Sequence, residues 1–143
     1  MVQMFSTKGR YSLRFMYDLA THTGWISLKD ISERQDISRK YLEQITPMLI
    51  SAGLVESLRG KGGGYRLTRE PSQYTIGEIL RAAEGELTPV ACIASCSSKS
   101  CPRSSNCPTM PIWKELESIT NGYLNSKTLD DILPNDLQEK WSN

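Results

Sequence analysis

The chain has 143 residues, enough for one domain with an appendage but too few for a large enzyme scaffold. Hydrophobic residues make up 38% and charged residues 23%, so the chain can bury a core and is not a disordered polymer. No apolar run approaches the roughly 20 residues that span a bilayer, and residues 1–10 lack the apolar block of a signal peptide. We therefore expect a soluble, cytoplasmic protein with no membrane partner.

The net charge of +1 conceals two halves of opposite charge. Residues 1–70 hold eleven Lys and Arg against seven Asp and Glu, whereas residues 71–143 hold six against nine. A basic half is typical of a nucleic-acid-binding head, and an acidic half suits a separate assembly or sensing part.

Three helices are predicted before residue 53. Apolar side chains recur at intervals of three and four over residues 8–23, which predicts a first helix ended by Gly24. Ser27 can cap a short second helix that runs through Arg34, and Ser38 can cap a third that ends at Gly53. The two capped helices, joined by a turn at residues 35–37, form a helix-turn-helix pattern. The third helix is expected to bury Leu42, Ile45, Leu49 and Ala52.

A basic hairpin and a fourth helix follow. Residues 54–58 and 65–68 have the pattern of strands, and the glycine-rich turn 59–64 between them predicts a wing. Thr75 and Glu78 have the spacing of a capping box at the start of a helix that ends at Gly85. We expect a mainly α chain in which residues 1–85 form a winged helix-turn-helix DNA-binding domain.

The remaining chain divides into a cysteine-rich loop, residues 86–111, and a helix with a tail, residues 112–143. So long a loop in a compact protein is usually functional or disordered. The apolar stripe of the helix has too little neighbouring core to bury it, so we expect a long dimerisation helix in a two-fold homodimer. A short turn near Thr128 and Asp131 should end at Pro134, with a loose tail beyond. The stripe comprises Ile112, Trp113, Leu116, Ile119, Thr120, Tyr123 and Leu124.

The third helix and the wing supply the candidate DNA contacts. The first residues of a recognition helix face base edges, and their neighbours face phosphate. Gln can bind adenine, Glu can accept from cytosine, and Arg or Lys can bind guanine or phosphate. Each feature alone is usually a solvated face or an ordinary hairpin, and their order favours DNA binding. The candidates are Ser38, Arg39, Lys40, Tyr41, Glu43 and Gln44, with Arg59 and Lys61 in the wing and Lys8 and Arg10 at the first helix.

All four cysteines lie within sixteen positions, at Cys92, Cys96, Cys101 and Cys107. Without an export signal, clustered thiolates more often serve metal or redox chemistry than disulfides. Gaps of three, four and five residues only loosely suit zinc, and no Cys-x-x-Cys pair or nearby His base supports an enzyme. We therefore predict a non-enzymatic metal or thiol site.

Four segments together resemble the Rrf family of winged helix-turn-helix regulators, namely residues 6–11, 30–35, 41–44 and 59–65. The similarity extends from about residue 6 to residue 133. The resemblance implies a homodimer that binds pseudo-palindromic operators in double-stranded DNA and responds to iron–sulfur, nitric oxide or sulfur-metabolite status. It also implies DNA contacts for Glu43, Gln44 and Arg59, whereas Lys40 replaces a small polar residue.

The cluster-binding branch of that family implies an iron–sulfur cofactor of the 2Fe-2S type. Cys92, Cys101 and Cys107, separated by eight and five residues, fit the wider spacing of that branch. Cys96, Cys101 and Cys107 fit a tighter spacing. We expect the wider set to hold the cluster, with Cys96 as an alternate or fourth ligand.

The fourth ligand departs from the pattern of that branch, which has a histidine three residues after the last cysteine. Met110 stands there in this chain, and the only histidine, His22, is expected at a helix end. A fourth thiolate from Cys96 and a carboxylate from the partner subunit are the open possibilities for that ligand. Two other functions remain open: a thiol-based redox or zinc-binding protein, and a cluster-independent regulator of sulfur metabolism.

Overall fold

The computed structural model describes residues 4–90 and 106–141, with side chains as far as residue 138. Within these ranges the chain is mainly α-helical and contains one two-stranded antiparallel sheet. Short 3-10 turns lie at Pro71–Gln73 and Leu129–Ile132. The order of elements confirms the predicted winged helix-turn-helix fold. The elements are α1 (Thr7–Thr21), α2 (Leu28–Gln35), α3 (Arg39–Ser51), β1 (Val55–Leu58), β2 (Gly64–Leu67), α4 (Ile76–Glu84), α5 (Met110–Ser126) and α6 (Asn135–Trp141).

Hydroxyl side chains begin three of these helices, as predicted. Each hydroxyl satisfies a backbone N–H that the first turn leaves without an intrahelical partner, and so fixes where the helix begins. Between α2 and α3 the chain turns at Asp36, which has a φ of 53°. The capping bonds are Asp30 N to Ser27 Oγ (3.1 Å), Tyr41 N to Ser38 Oγ (3.1 Å) and Glu78 N to Thr75 Oγ1 (3.0 Å).

The Glu78 carboxylate departs from the predicted capping box. It accepts from both terminal nitrogens of Arg69, with Nη2 to Oε1 at 2.8 Å and Nη1 to Oε2 at 3.2 Å. The guanidinium of Arg69 also lies over the Tyr74 ring, 4.5 Å from its centroid. The hydrogen bond with Glu78 raises the pKa of Arg69. The Arg69–Glu78 pair therefore attaches the segment that follows the wing to helix α4.

The main core surrounds α1 and takes in one face of α3. Phe15 of α1 is fully buried, as are the predicted α3 residues Leu42, Ile45 and Leu49. Ala52 was expected to join them but is exposed, because α3 ends at Ser51 and the chain turns away there.

The wing is attached to the core at its base. Strands β1 and β2 pair from Val55 opposite Leu67 to Leu58 opposite Gly64. Ile26 adds a bridge on the other side of β2, with Ile26 N to Tyr65 O at 2.9 Å and Tyr65 N to Ile26 O at 2.8 Å. Any Cβ at Gly64, where φ is +149°, would overlap the Ile26 backbone. This close approach requires glycine there.

The hydroxyl of Tyr74 holds the two ends of the hairpin together. It accepts from Thr68 N at 2.9 Å and Arg69 N at 3.0 Å, and donates to Leu54 O at 2.8 Å. Tyr74 is fully buried. The direction in which the wing leaves the core is therefore set by one side chain as well as by the strand ladder.

Helix α5 packs along α4 through a polar and an apolar contact. Arg81 Nη2 donates to Asn121 Oδ1 at 2.7 Å and Asn125 Oδ1 at 2.8 Å, and Asn121 Nδ2 donates to the Leu87 carbonyl at 3.0 Å. Leu124 was predicted to belong to a stripe covered by a partner, but it packs in its own chain in a cluster with Ile76, Leu80 and Leu87.

The tail beyond Pro134 is helical as far as Trp141, so the prediction of a loose tail was wrong for the residues described there. Thr128 and Asp131 form a full capping box that begins the turn at Leu129–Ile132, and Leu129 is fully buried. Pro134 ends that turn but its carbonyl accepts from Leu137 N at 2.9 Å, which starts α6. Pro134 therefore separates two helical segments rather than ending regular structure.

No helix within residues 4–90 and 106–141 is both long and apolar enough to cross a membrane.

Candidate nucleic-acid interface

The outer face of α3 exposes the side chains that were predicted to read DNA. Its inner face is fixed by Leu42, Ile45 and Leu49, and the cap at Ser38 fixes where its first turn begins. A helix held so rigidly on one side can present the other side to a groove without further ordering. The exposed candidates on or beside α3 are Ser38, Arg39, Lys40, Glu43 and Gln44.

Tyr41 differs from these candidates because it is half-buried against α1. Its ring meets that of Tyr11 edge to face, with centroids 5.2 Å apart and planes at 77°. Burial raises the pKa of Tyr41, and the nearby Tyr11 and Glu84 add to the effect. Tyr41 is thus a neutral anchor between the recognition helix and α1.

The wing carries its two candidate cations at the turn. Arg59 and Lys61 are both exposed between β1 and β2. Gly63 N donates to the Gly60 carbonyl at 3.0 Å, which closes the turn on itself. The other residues of this turn are glycines, so Arg59 and Lys61 are its longest side chains.

The start of α1 lies beside the recognition helix. Lys8 and Arg10, the remaining DNA candidates, are exposed in its first turn. A cleft of about 520 Å³ is lined by Lys8, by Tyr41 of α3 and by Glu84 at the end of α4. The structure therefore brings Lys8 and the recognition helix to one cleft, together with the end of the helix that leads to the cysteine-rich segment.

Helices α1 and α2 are joined by a buried carboxylate. Asp18 is 0% exposed, and its carboxylate accepts from Arg34 Nε at 3.0 Å, Arg34 Nη2 at 2.7 Å and Gln35 Nε2 at 3.0 Å. The hydrogen bond with Asp18 raises the pKa of Arg34. Because α2 is the first half of the helix-turn-helix, this cluster sets its orientation on α1.

Asp18, Glu84 and Tyr74 position the candidate interface, and the sequence predictions named none of them. A signal existed for Asp18, since it follows Phe15 by three positions and so falls on the apolar face of the first helix, but it did not identify Arg34 as the partner. Glu84 bonds Ser6 and Gly9, 78 and 75 positions before it in the sequence, and Tyr74 bonds the ends of a hairpin. Neither contact has a local sequence pattern.

Cys107 is the cysteine that the structure describes; Cys92, Cys96 and Cys101 lie outside the described residues. Its Sγ lies 3.2 Å from Thr109 Oγ1, just before α5 begins. The side-chain and backbone hydrogen bonds of Thr109 lower the pKa of the Cys107 thiol. The thiolate, not the thiol, is the form of cysteine that binds the iron of iron–sulfur clusters, so the donor chemistry of this residue fits such a cluster.

The described residues hold no other candidate ligand set. No group of three His, Cys, Asp or Glu side chains in residues 4–90 and 106–141 is placed to hold a metal ion. Met110 is buried at the first position of α5. His22 lies at the exposed end of α1, where its Nδ1 is 2.9 Å from the Asp18 carbonyl.

Comparison with known proteins identifies the family. The sequence profile of Rrf2, described as an iron-dependent transcriptional regulator, matches residues 5–135. The chain belongs to the Rrf2 family. The HTH-type transcriptional regulator IscR of Photobacterium profundum is 39% identical over 137 residues, 94% of this chain and 78% of the relative.

Two solved Rrf2-type structures have the same fold. That of T. potens IscR has a TM-score of 0.72 and 39% identity, covering 94% of this chain and 88% of the other. That of CymR, the global cysteine regulator of B. subtilis, has a TM-score of 0.71 and 38% identity, covering 92% and 96%. These relatives confirm that the chain is a DNA-binding transcription regulator of the Rrf2 family, similar to IscR, and not an enzyme.

Proposed function

We propose that the protein is a homodimeric regulator that binds a pseudo-palindromic operator and whose DNA affinity responds to an iron–sulfur cluster in the cysteine-rich segment, residues 86–111. The observation that carries the DNA-binding part is the capped recognition helix, whose polar outer face stands beside a cationic wing. The proposed location is the cytoplasm.

Six exposed cations supply the affinity for DNA in this proposal. If half of them contact phosphate in each subunit, a dimer neutralises about six phosphates and the logarithm of the binding constant falls with log salt at a slope of about −5. Glu43 and Gln44 supply base selection, because they can pair with cytosine and adenine edges. The cations are Lys8, Arg10, Arg39, Lys40, Arg59 and Lys61.

Alanine substitutions should separate phosphate contact from base reading. Arg59→Ala should weaken binding to every duplex and reduce the salt slope by about 2, one contact per subunit. Gln44→Ala should weaken binding to the preferred duplex by about 1–3 kcal/mol per lost base contact and leave the slope unchanged. The measurement is a fluorescence titration at several salt concentrations on the DNA upstream of the protein's own gene and on a scrambled duplex.

Lys114→Ala is the matched control, because it removes an exposed cation of α5 that has no proposed DNA contact. A wild-type protein whose affinity is the same for both duplexes and insensitive to salt would contradict the proposal.

The homodimer is inferred from the part of α5 that its own chain leaves uncovered. One face packs on α4, whereas Ile112, Leu116, Ile119 and Tyr123 are 42–62% exposed along the other. These residues follow the spacing of one helix face, so two copies related by a two-fold axis would bury the same stripe on each other. Two linked heads also match the two half-sites of a palindromic operator.

The cluster would be held by Cys92, Cys101 and Cys107, with Cys96 as an alternate or fourth ligand. The lowered pKa of the Cys107 thiol supports this assignment, as does the iron-dependent description of the family. When bound, a 2Fe-2S cluster supplies an inorganic centre that is sensitive to oxygen, iron supply and nitric oxide. Its gain or loss at the start of α5 would act next to the proposed dimer stripe.

Protein purified without air should be coloured, with visible absorption and bound iron, and the double substitution Cys101→Ala, Cys107→Ala should remove both. The reason is that two of three expected thiolate ligands are lost. Cys96→Ala serves as the comparison, since it should retain most of the iron if Cys96 is an alternate ligand. A colourless wild-type protein, or colour that survives in the double variant, would contradict the ligand assignment.

The structural likeness to CymR, a cysteine regulator, favours one second candidate: a cluster-independent thiol regulator of sulfur metabolism. That protein would bind its operator equally well with and without iron. Gel shifts on iron-loaded and iron-free protein distinguish the two, and metal analysis of the same samples detects zinc.

A further inference from the structure

Glu84 caps a helix that is distant from it in the sequence. Its Oε1 accepts from Ser6 N at 2.7 Å, Ser6 Oγ at 2.7 Å and Gly9 N at 3.0 Å. Ser6 precedes α1 but makes no side-chain capping bond to that helix. The Glu84 carboxylate of α4 therefore caps α1 in place of a side chain next to that helix in sequence. Its negative charge also interacts favourably with the positive end of the α1 dipole.

Gly9 makes this contact possible. A Cβ at position 9 would overlap Glu84 Oε1 and lie 3.0 Å from Glu84 Cγ. Gly9 is buried, so the carboxylate could not remain in place if a side chain were added. Glycine is otherwise a poor choice in a helix, costing about 1 kcal/mol relative to alanine.

The turn that Glu84 caps carries two of the proposed phosphate contacts. Lys8 and Arg10 are exposed on it, and Lys8 lines the same cleft as Tyr41 of the recognition helix. A frayed first turn would leave the two cations in many orientations, and ordering them on DNA would cost binding free energy.

We propose that Glu84 is a positioning residue for DNA binding, which holds the first turn of α1 so that Lys8 and Arg10 meet phosphate beside the recognition helix. This rests on the proposed function, in which Lys8 and Arg10 contact DNA. The direction in which the loss of Glu84 changes DNA affinity distinguishes this positioning role from a simple effect of charge. Removing an acid from a DNA-binding protein should strengthen binding through charge alone, whereas loss of positioning weakens it.

Glu84→Ala is expected to lower operator affinity about tenfold, the equivalent of one lost charge-assisted hydrogen bond, and to reduce the salt slope by up to about 4, two contacts per subunit. Glu84→Gln keeps an oxygen that can accept the same bonds and should retain most of the affinity. Gly9→Ala displaces the carboxylate by a different route and should weaken binding as Glu84→Ala does. Glu70→Ala, which removes an exposed acid after β2, should not weaken binding.

A combination of variants separates positioning from a general loss of stability. In a chain that already carries Lys8→Ala and Arg10→Ala, Glu84→Ala should cause no further loss of affinity, because the groups that it positions are gone. The Gly9→Ala, Glu84→Ala double variant should be more stable than Glu84→Ala alone, because alanine favours a helix more than glycine does. It should still bind the operator as weakly as Glu84→Ala.

The outcomes that overturn the proposal are distinct from those that overturn the function. If wild type binds its operator with a steep salt slope while Glu84→Ala and Gly9→Ala bind equally well, only the positioning role fails. The same holds if Glu84→Ala weakens binding equally in the Lys8→Ala, Arg10→Ala background, or if Glu84→Gln is as weak as Glu84→Ala. If wild type binds no duplex, the proposed function fails and this proposal fails with it.

Discussion

Replacing Arg34 by methionine is expected to lower the free energy of unfolding by about 3 kcal/mol. The substitution keeps an unbranched side chain of similar length but removes two of the three hydrogen bonds to the fully buried Asp18 carboxylate. A charge stranded in a core costs far more than an exposed one. The groups that remain are Gln35 and the His22 ring, whose Nδ1 is 3.8 Å from the carboxylate, and they cannot replace the guanidinium. The measurement is urea unfolding at constant pH and protein concentration.

Two comparisons test the reason for this loss. Arg66→Met removes a guanidinium that pairs with Glu56 at the surface, where both side chains are more than 40% exposed. The same guanidinium lies over the Trp25 ring, 4.1 Å from its centroid, so the total cost should not exceed about 1–2 kcal/mol. Asp18→Ala together with Arg34→Met removes the stranded charge and should be more stable than Arg34→Met alone. If the double variant is the less stable of the two, the cost does not come from the buried carboxylate.

Ile119→Glu is expected to convert the proposed dimer into monomers and to weaken operator binding by about 10²- to 10⁴-fold. Ile119 is 62% exposed at the centre of the apolar stripe of α5, so a two-fold contact would bring two introduced carboxylates into an apolar interface. The loss of affinity follows because a monomer forfeits the effective concentration that links its two heads. Sedimentation or light scattering gives the mass, and a titration on the same samples gives the affinity.

Ser118→Glu is the matched control for this substitution. Ser118 is exposed and adjacent in sequence, but it lies about 100° around the helix from Ile119. It introduces the same charge outside the stripe and should leave both mass and affinity unchanged. A monomeric wild type, or a dimeric Ile119→Glu variant, would show that α5 does not form the interface.

Local patterns in the sequence were sufficient to predict the helices, the wing and their order. Ser27, Ser38 and Thr75 each bind a backbone N–H within three residues, so their effect is encoded in a few neighbouring positions. The exposed face of α3 followed from the same reasoning, since its apolar spacing fixes which side turns inward. The DNA contacts assigned to that face, and the cysteine ligands, remain predictions.

Distant contacts were not predicted, and they account for most of the departures. Glu78 had the spacing of a capping box but pairs with Arg69, because a guanidinium nine positions away in the sequence is a better partner than a backbone N–H. Leu124 had the spacing of the stripe but packs within its own chain, because α5 rests on α4. Helical periodicity shows which residues share a face but does not show which surface covers that face.

The buried carboxylate of Asp18 constrains the order in which this chain could lose its ion pair with Arg34. A chain that loses Arg34 first strands an acid in its core, whereas a chain that loses Asp18 first leaves a basic side chain that can reach water. Loss of the pair by successive mutations should therefore begin with Asp18. Among descendants of such a protein, chains that keep Arg34 without Asp18 should be found more often than chains that keep Asp18 without Arg34.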